Sequence, residues 1–429
     1  MQIENITGLY HFDDFKVRAQ MLLQDDMSHK HFVITLNVNN FKFINQTYGY
    51  QKGDFLLKKI AEFFCYEENR CIMACREYSD HFVVLGELQD LSEDEFEYYM
   101  HDRILSFSKS IVREFPLFAI HLNVGGYIVE DNHMDISMAF DRAELARRNI
   151  KGNYTTSFQM YNDKLRTKSL EDAAMIPLFN RALEEGWLFA YLQPKFEIET
   201  GALVGAEALV RMVDENGKMV PPIAFIPKLE EAGLVYQCDL TILEQVLQWI
   251  QRWIDMGIQP VPISVNLSRV DFHNEEVKTR IMKLFQKYHV PVEYIEFEVT
   301  ETAFVDDLDD IVSQVKKLHD AGFRISVDDF GSGYSSLSAV SIMPVDVVKF
   351  DRSFVQNCIH SERGEIVISQ MAEMFKKLNL SVICEGVETI EEEKRVAACG
   401  IKYVQGYVHD KPLACDVFEE KYMIQRKEI

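Results

Sequence analysis

Apolar and polar positions follow two different rhythms along this chain, and the change between them divides it. From residue 1 to about 163, strand-like runs such as HFVITLNV (31–38), HFVVLGEL (81–88) and FAIHLNVGGYIV (118–129) are interleaved with helical patterns such as FLLKKIAEFFCY (55–66), which predicts one α+β domain. From about 186 onward, short apolar strands alternate with longer amphipathic segments: FAYLQP, LVGAEAL, PISVNLS, YIEFEVT, FRISVDD, VDVVKF, SVICEG and IKYVQG. Eight strands with helices between them, in about 245 residues, predict a (βα)8 barrel. The expected fold class is therefore α/β, with a TIM-like barrel after an N-terminal α+β domain. Ser169 can cap a helix whose early turns hold Leu170, Glu171 and Asp172, so the expected organisation is 1–163, a helical linker over 164–176, and 177–429. The acidic runs VDDLDD (305–310) and TIEEEK (389–394) read as first turns of helices, and Thr389 with Glu392 has the spacing of a capping box.

Composition narrows the class. The 429 residues are 47% hydrophobic and 26% charged, which excludes wholesale disorder and a small stapled scaffold. No stretch approaches the roughly 20 apolar residues of a membrane helix, and the start MQIENITGLYHFDDF has no basic segment followed by an apolar one. Eight scattered cysteines, of which Cys71 and Cys75 are the only close pair, fit a reducing compartment, and the expected location is the cytoplasm. A formal charge of −23 has the wrong sign for neutralising duplex nucleic acid, so binding of duplexes is not expected. Many carboxylates in one cleft would instead bring in an anionic ligand through divalent cations.

The informative chemistry lies at the ends of the predicted barrel strands. They carry Gln193, Glu207, Asn266, Glu298, Asp328 with Asp329, Lys349, Glu385 and Gln405. Barrel sites are assembled from the C-terminal ends of several strands, so these residues are expected to converge. Four carboxylate-bearing strand ends with Asn266 make an oxygen-rich shell suited to magnesium or manganese, and there is no clustered histidine set for zinc. Adjacent Asp328 and Asp329 can serve two neighbouring ions, a pairing suited to in-line phosphoryl displacement by water.

The strings AEALVR (206–211), SVNLS (264–268), FEVTE (297–301), DDFGSGYSSL (328–337), VKFDRSF (348–354), CEGVET (384–389) and VQGY (404–407) occur in the order of the motif set of EAL-domain cyclic di-GMP phosphodiesterases, which this half resembles from about residue 170 to the end. The resemblance implies a barrel that cleaves cyclic di-GMP to linear pGpG with two Mg2+ or Mn2+ ions. It also implies Glu207, Asn266, Glu298 and Asp328 as ligands of one ion and Asp328, Asp329 and Glu385 around the second. Lys349 matches the lysine near the attacking water, either as a proton acceptor or as a charge holding hydroxide in line. Gln193 and Arg211 match substrate contacts, and Gln405 matches another polar pocket position. Glu301 matches a residue bracing the loop that contains Gly331 and Gly333, a loop that in similar proteins also contributes to a homodimer. Val210, Met212, Cys384 and the segment VHD (408–410) depart from the family pattern, at packing positions or the pocket rim.

The first half resembles a GGDEF domain, the diguanylate cyclase fold, through NITGL (5–9), LNVNNFKFINQTYGYQKGDFLLKKIA (36–61), CREYSDHF (75–82) and FDRAELARRNIKGN (140–153). Its signature is altered. Tyr78 and Ser79 replace the two glycines, His81 and Asn37 replace the metal-binding acids, and Asn39 replaces a further acid. Loss of both metal carboxylates implies no cyclisation. Asn45 and Asp54 still match guanine-holding residues and Lys42 a lysine near the phosphates, so a GTP-binding regulatory role and a scaffold or dimerisation role both stay open. For the whole chain, the alternative to a hydrolase is a non-cleaving cyclic di-GMP receptor that signals through a partner protein.

Overall fold

The computed structural model describes residues 3–25, 29–66, 70–150, 156–268, 275–300, 308–332 and 337–424. The chain divides into two compact units, Met1–Ala173 and Ala174–Ile429. The division falls inside a helix, Asp163–Glu185, which contains residues 164–176. No helix among the described residues is long and apolar enough to cross a membrane.

In the first unit five strands form one sheet: β1 (His31–Val38), β2 (Cys71–Tyr78), β3 (His81–Glu87), β4 (Leu122–Ile128) and β5 (Phe158–Met160), in the order β2-β3-β1-β4-β5. Only the β4–β5 pairing is parallel. The period-two alternation of β1 is used on both faces. Phe32, Ile34, Leu36 and Val38 join one apolar cluster with Leu56, Ile60, Phe96 and Ile104, while Val33 joins another with Phe15, Ala19, Leu23 and Ala143. Helices therefore cover both faces of this sheet.

Behind β4 a buried polar cluster ties the helix Ile136–Asn149 to the sheet. Gly125 permits the approach, because a Cβ there would lie 2.1 Å from the Ala143 carbonyl oxygen and 2.2 Å from the Arg147 nitrogen. Arg147, only 4% exposed, donates from Nε and Nη2 to both oxygens of Glu144 (2.8 and 2.6 Å) and from Nη1 to Asn37 Oδ1 (2.7 Å). Asn123 Nδ2 donates to the same Asn37 oxygen at 3.3 Å.

In the second unit a barrel closes from β6 (Leu188–Glu197), β7 (Leu203–Val213), β9 (Ile263–Asn266), β10 (Ile295–Thr300), β11 (Arg324–Phe330), β12 (Val347–Phe350), β13 (Ser381–Glu385) and β14 (Tyr403–Gln405), with the short β8 (Met219–Val220) and β15 (Leu413–Ala414) added to β7 and β6. All eight predicted strand segments are present. Six neighbouring pairs are parallel, but β6 runs antiparallel to both β7 and β14 and reaches β7 through a short turn at Gly201 without an intervening helix. The barrel thus departs from strict βα alternation at its first strand.

Outward residues such as Phe297 and Val299 pack under the surrounding helices, where the helix Val235–Asp255 buries Ile242, Val246, Leu247, Ile250 and Trp253 at helical spacing. The expected capping box is present in the helix Ile390–Ala398, with Thr389 and Glu392 bonded reciprocally. The first residues of the VDDLDD run lie outside the described residues.

Two outcomes follow for the first unit. Gly125→Ala forces the covering helix off the sheet and should lower stability in urea unfolding by about 1–3 kcal/mol, as overpacking does elsewhere. Glu144→Gln strands a buried guanidinium and should cost about 3–5 kcal/mol at neutral pH. Burial alone would raise the Glu144 carboxyl, but Arg147 and Arg148 outweigh it and hold it below its ordinary value of 4.5. A depressed folded-state value means that the contribution is complete above the unfolded value and is lost as pH falls through the folded one. Stability measured from pH 7 to pH 3 should therefore fall less steeply in Glu144→Gln than in the parent.

Candidate active site

Inside the barrel the side chains are polar where most barrels are filled with branched apolar residues. Lys349, on β12, is fully buried. Its Nζ lies 3.1 Å from Glu207 Oε2, 2.7 Å from Glu298 Oε2, 3.0 Å from Asp328 Oδ1 and 2.7 Å from Glu385 Oε1. Those carboxylates come from β7, β10, β11 and β13, so one ammonium is shared among four strands. Gln405, on β14, donates from Nε2 to Glu207 (2.5 Å) and to Gln193 Oε1 (3.3 Å), while its own Oε1 is buried and has no hydrogen-bond partner. Gln193 faces Glu207 across the antiparallel β6–β7 pair, so both lie within their strands and not at the ends.

Asp328 and Asp329 reach one site through a local irregularity. Consecutive strand residues ordinarily point to opposite faces. Here the β11–β12 register shifts between Val327 and Phe330, and Asp329 takes φ 57°, a left-handed conformation uncommon for a side-chain-bearing residue. As a result, ligand oxygens of Asp328, Asp329 and Glu385 all lie within 4.8 Å of one another, as do those of Glu207, Glu298 and Asp328.

The electrostatics are unbalanced. Burial, reinforced by neighbouring carboxylates, pushes Glu207, Asp328 and Asp329 up and Glu385 well up, despite the attraction of Lys349. For Glu298 burial acts the same way, but Lys195 and Lys349 together outweigh it and hold the carboxyl low. Burial would lower Lys349, and the surrounding carboxylates reverse this and raise it well above the ordinary lysine value, so within this field of carboxylates the group is held as an ammonium. With all five ionised, the carboxylates around this ammonium leave an excess of four negative charges, the charge of two divalent cations. An all-oxygen donor set that shares Asp328 between two groups fits hard ions of this kind.

Asn266 is beside Glu298 in the β9–β10 register and, with Arg211, Asp239 and Thr300, borders a cavity of about 560 Å³. Arg211 is not bonded to the carboxylates. It donates to the Val210 carbonyl oxygen at 2.8 Å and lies over the Tyr191 ring. Glu301 and Gly333 lie outside the described residues.

The first unit brings together less. Asn37 is engaged by Arg147 and Asn123, and Tyr78 and His81 flank the β2–β3 turn with rings stacked at 4.3 Å. Asp80 Oδ2 accepts from the Val38 backbone at 2.9 Å. Among the described residues, both carboxylate groups that can hold a metal are in the barrel. Lys42 is exposed and Asp54 half-buried, whereas Asn45 Oδ1 is buried against Gly53 with no hydrogen-bond partner.

The strand-end pattern leaves out Lys195, Ser264 and Glu296, and it has no bearing on Glu144 and Arg147, which lie on a helix. The first three were legible by counting two positions back or forward from a site residue: Gln193 to Lys195, Asn266 to Ser264, and Glu298 to Glu296.

Residues 178–412 match the EAL domain family, and residues 2–156 match the diguanylate cyclase GGDEF domain family. Similar curated proteins include the cyclic di-GMP phosphodiesterase PdeR of Escherichia coli (27% identity, 98% of this chain and 63% of PdeR). Another is the bifunctional diguanylate cyclase/cyclic di-GMP phosphodiesterase MucR of Pseudomonas aeruginosa (24%, 94% and 58%). The chain spans about half to about three fifths of the length of such relatives. Among solved structures, the MucR phosphodiesterase in complex with cyclic di-GMP matches 57% of this chain and 99% of its own at 28% identity and TM-score 0.54. The GGDEF–EAL portion of LapD from Vibrio cholerae matches 95% of this chain and 96% of its own at 17% identity and TM-score 0.54, a likeness of fold. With its barrel, its shared carboxylate site and the family match over more than half its length, the chain belongs to the EAL domain family, preceded by a GGDEF domain.

Proposed function

We propose that the barrel hydrolyses cyclic di-GMP to linear pGpG and that the first unit is a regulatory or dimerisation module without cyclase activity. The observation that carries this reading is the Lys349 ammonium held among four carboxylates, beside a bulge that turns Asp329 into the same site. Glu207, Asn266, Glu298 and Asp328 would hold one divalent ion, Mg2+ or Mn2+, and Asp328, Asp329 and Glu385 a second. Such ions would activate water and stabilise the entering and departing oxygens of an in-line displacement at phosphorus.

The chain's own residues set the geometry around that step. Lys349, hydrogen-bonded among these carboxylates, would orient the attacking oxygen by donating to it. The Gln193 and Gln405 amides fix the Glu207 side of the pocket, and the orphaned Gln405 carbonyl offers an acceptor to a substrate hydroxyl or amine. Arg211, on the wall of the neighbouring cavity, would meet a phosphodiester oxygen pair. Reaction breaks one bond from phosphorus to a ribose 3′ oxygen, which leaves as a hydroxyl, while the water oxygen stays on the phosphate.

For the first unit, the guanidinium of Arg147 stands against Asn37 where a cyclase needs a metal carboxylate, which supports the loss of cyclisation. The buried, unpartnered Asn45 carbonyl supports retained nucleotide binding, and the homodimer belongs to the same reading.

Incubation of the purified protein with cyclic di-GMP and Mg2+ or Mn2+, followed by chromatography, should yield pGpG. Chelation with EDTA should stop it, and Glu207→Ala or Lys349→Ala should slow it by roughly 10²–10⁴-fold. Intact nucleotide in every tube, with measurable binding, would make the protein a receptor. GTP with Mg2+ should give no cyclic di-GMP, and a GTP-dependent change in pGpG formation would assign the first unit a sensory role. Mn2+ at about 100 times its Kd should stabilise the parent by about 2.7 kcal/mol in thermal unfolding, and Glu298→Gln should remove most of this gain.

A further inference from the structure

One layer beneath the carboxylate site, a second lysine is buried in the barrel. Lys195 follows Gln193 by two positions on β6, so both project inward, and because β6 runs against its neighbours the step leads away from the catalytic rim. Its register partners are Gln405 on β14 and Gly205 on β7; the glycine places no side chain in the way, and the four-carbon stem crosses the interior past β7 and β9. Its Nζ donates to Ser264 Oγ (2.7 Å), Glu296 Oε1 (3.3 Å) and Glu298 Oε1 (2.9 Å). Lys195 is 4% exposed, Ser264 1%, Glu296 5% and Glu298 0%. Beneath them is a cavity of about 120 Å³, which Arg324 also lines, with a guanidinium nitrogen 3.6 Å from Glu296 Oε2.

Glu298 is therefore gripped from two directions. Its Oε2 faces upward to Lys349 and the other site carboxylates, whereas its Oε1 is held from below by Lys195. A carboxylate with one oxygen anchored can rotate about neither its χ angles nor its terminal bond without breaking a buried ion pair. Anchoring of this kind leaves one oxygen aimed at the ligand position in advance.

We propose that Lys195 is a positioning residue for divalent-ion binding: by fixing Glu298 Oε1 from beneath, it presents Glu298 Oε2 to the ion. Ser264 orients the ammonium, and Glu296 supplies the negative charge that balances it within the lower layer, Glu298 being counted with the site above. The inference rests on the reading of the upper carboxylates as metal ligands and deepens it, since Lys195 touches neither the ion nor the substrate.

The test is Mn2+ binding to the full chain without nucleotide, followed by calorimetry and by the electron paramagnetic resonance of free Mn2+, with circular dichroism to verify folding. Lys195→Met should weaken Mn2+ binding by roughly 10–100-fold, the usual effect of losing a partner that orients a ligand. Pairing it with Glu296→Leu removes one charge of each sign, so the double variant restores neutrality and keeps the experiment informative if the single variant does not fold. The double variant should still bind Mn2+ at least about 10-fold more weakly than the parent. In turnover assays the Mn2+ midpoint should shift by the same factor, while kcat recovers at saturating Mn2+. Parental Mn2+ affinity in the folded double variant would overturn the proposal and leave the hydrolase reading intact. Failure of the parent itself to bind Mn2+ would overturn both.

Discussion

Everything in the barrel interior is arranged around a buried ammonium shared by four carboxylates. Charges taken out of water are costly unless each finds opposite charge and hydrogen bonds, and removal of one partner leaves the others stranded. Lys349 meets that requirement only if β7, β10, β11 and β13 all deliver a carboxylate to the same few ångströms, which ties barrel closure to site assembly. The arrangement is still over-supplied with negative charge. Ion pairs of this sort are weak evidence for stability, and a barrel filled with branched apolar residues would pack with less conflict. The excess makes physical sense as a receptacle for cations that carry a phosphate ligand with them.

Polar character extends further down than the site itself. The layer of Lys195, Ser264 and Glu296 is closely paired internally and supports Glu298 from below, so that one carboxylate is bracketed by two ammoniums. This explains why Glu298 is held ionised while its neighbours are pushed towards protonation. Lys195 also acts on Glu207, but less than Lys349 does, and that carboxyl is still pushed up.

The first unit resolves a comparable problem in the opposite way. There a guanidinium supplied by the chain lies against Asn37 and is paired with Glu144, which Arg148 also engages, so that carboxylate is occupied within the chain. Gly125 lets the helix carrying both residues reach the sheet. Buried polar groups are thus treated differently in the two units: one cluster is paired within the chain, and the other retains an open charge imbalance.

Much of this was legible in the chain. The eight short apolar runs marked the barrel strands, the capping-box spacing at Thr389 marked a helix start, and the strand-end carboxylates with Lys349 marked the site, because period-two alternation and capping act through neighbours in sequence. Local pattern could not report strand direction, so the antiparallel β6 and the mid-strand places of Gln193 and Glu207 emerged only from pairing between distant segments. Nor could it report that Asp328 and Asp329, which alternation sends to opposite faces, meet through a bulge and a left-handed Asp329. Arg147 reads as an ordinary helix residue until Asn37, 110 positions away, is placed against it. The chain by itself determined which residue types were available for the chemistry and where its strands and helices lie, since those follow from local periodicity. Which charges face one another, and therefore which are satisfied and which are left open, depends on distances between segments far apart in sequence, and only the tertiary structure decided it.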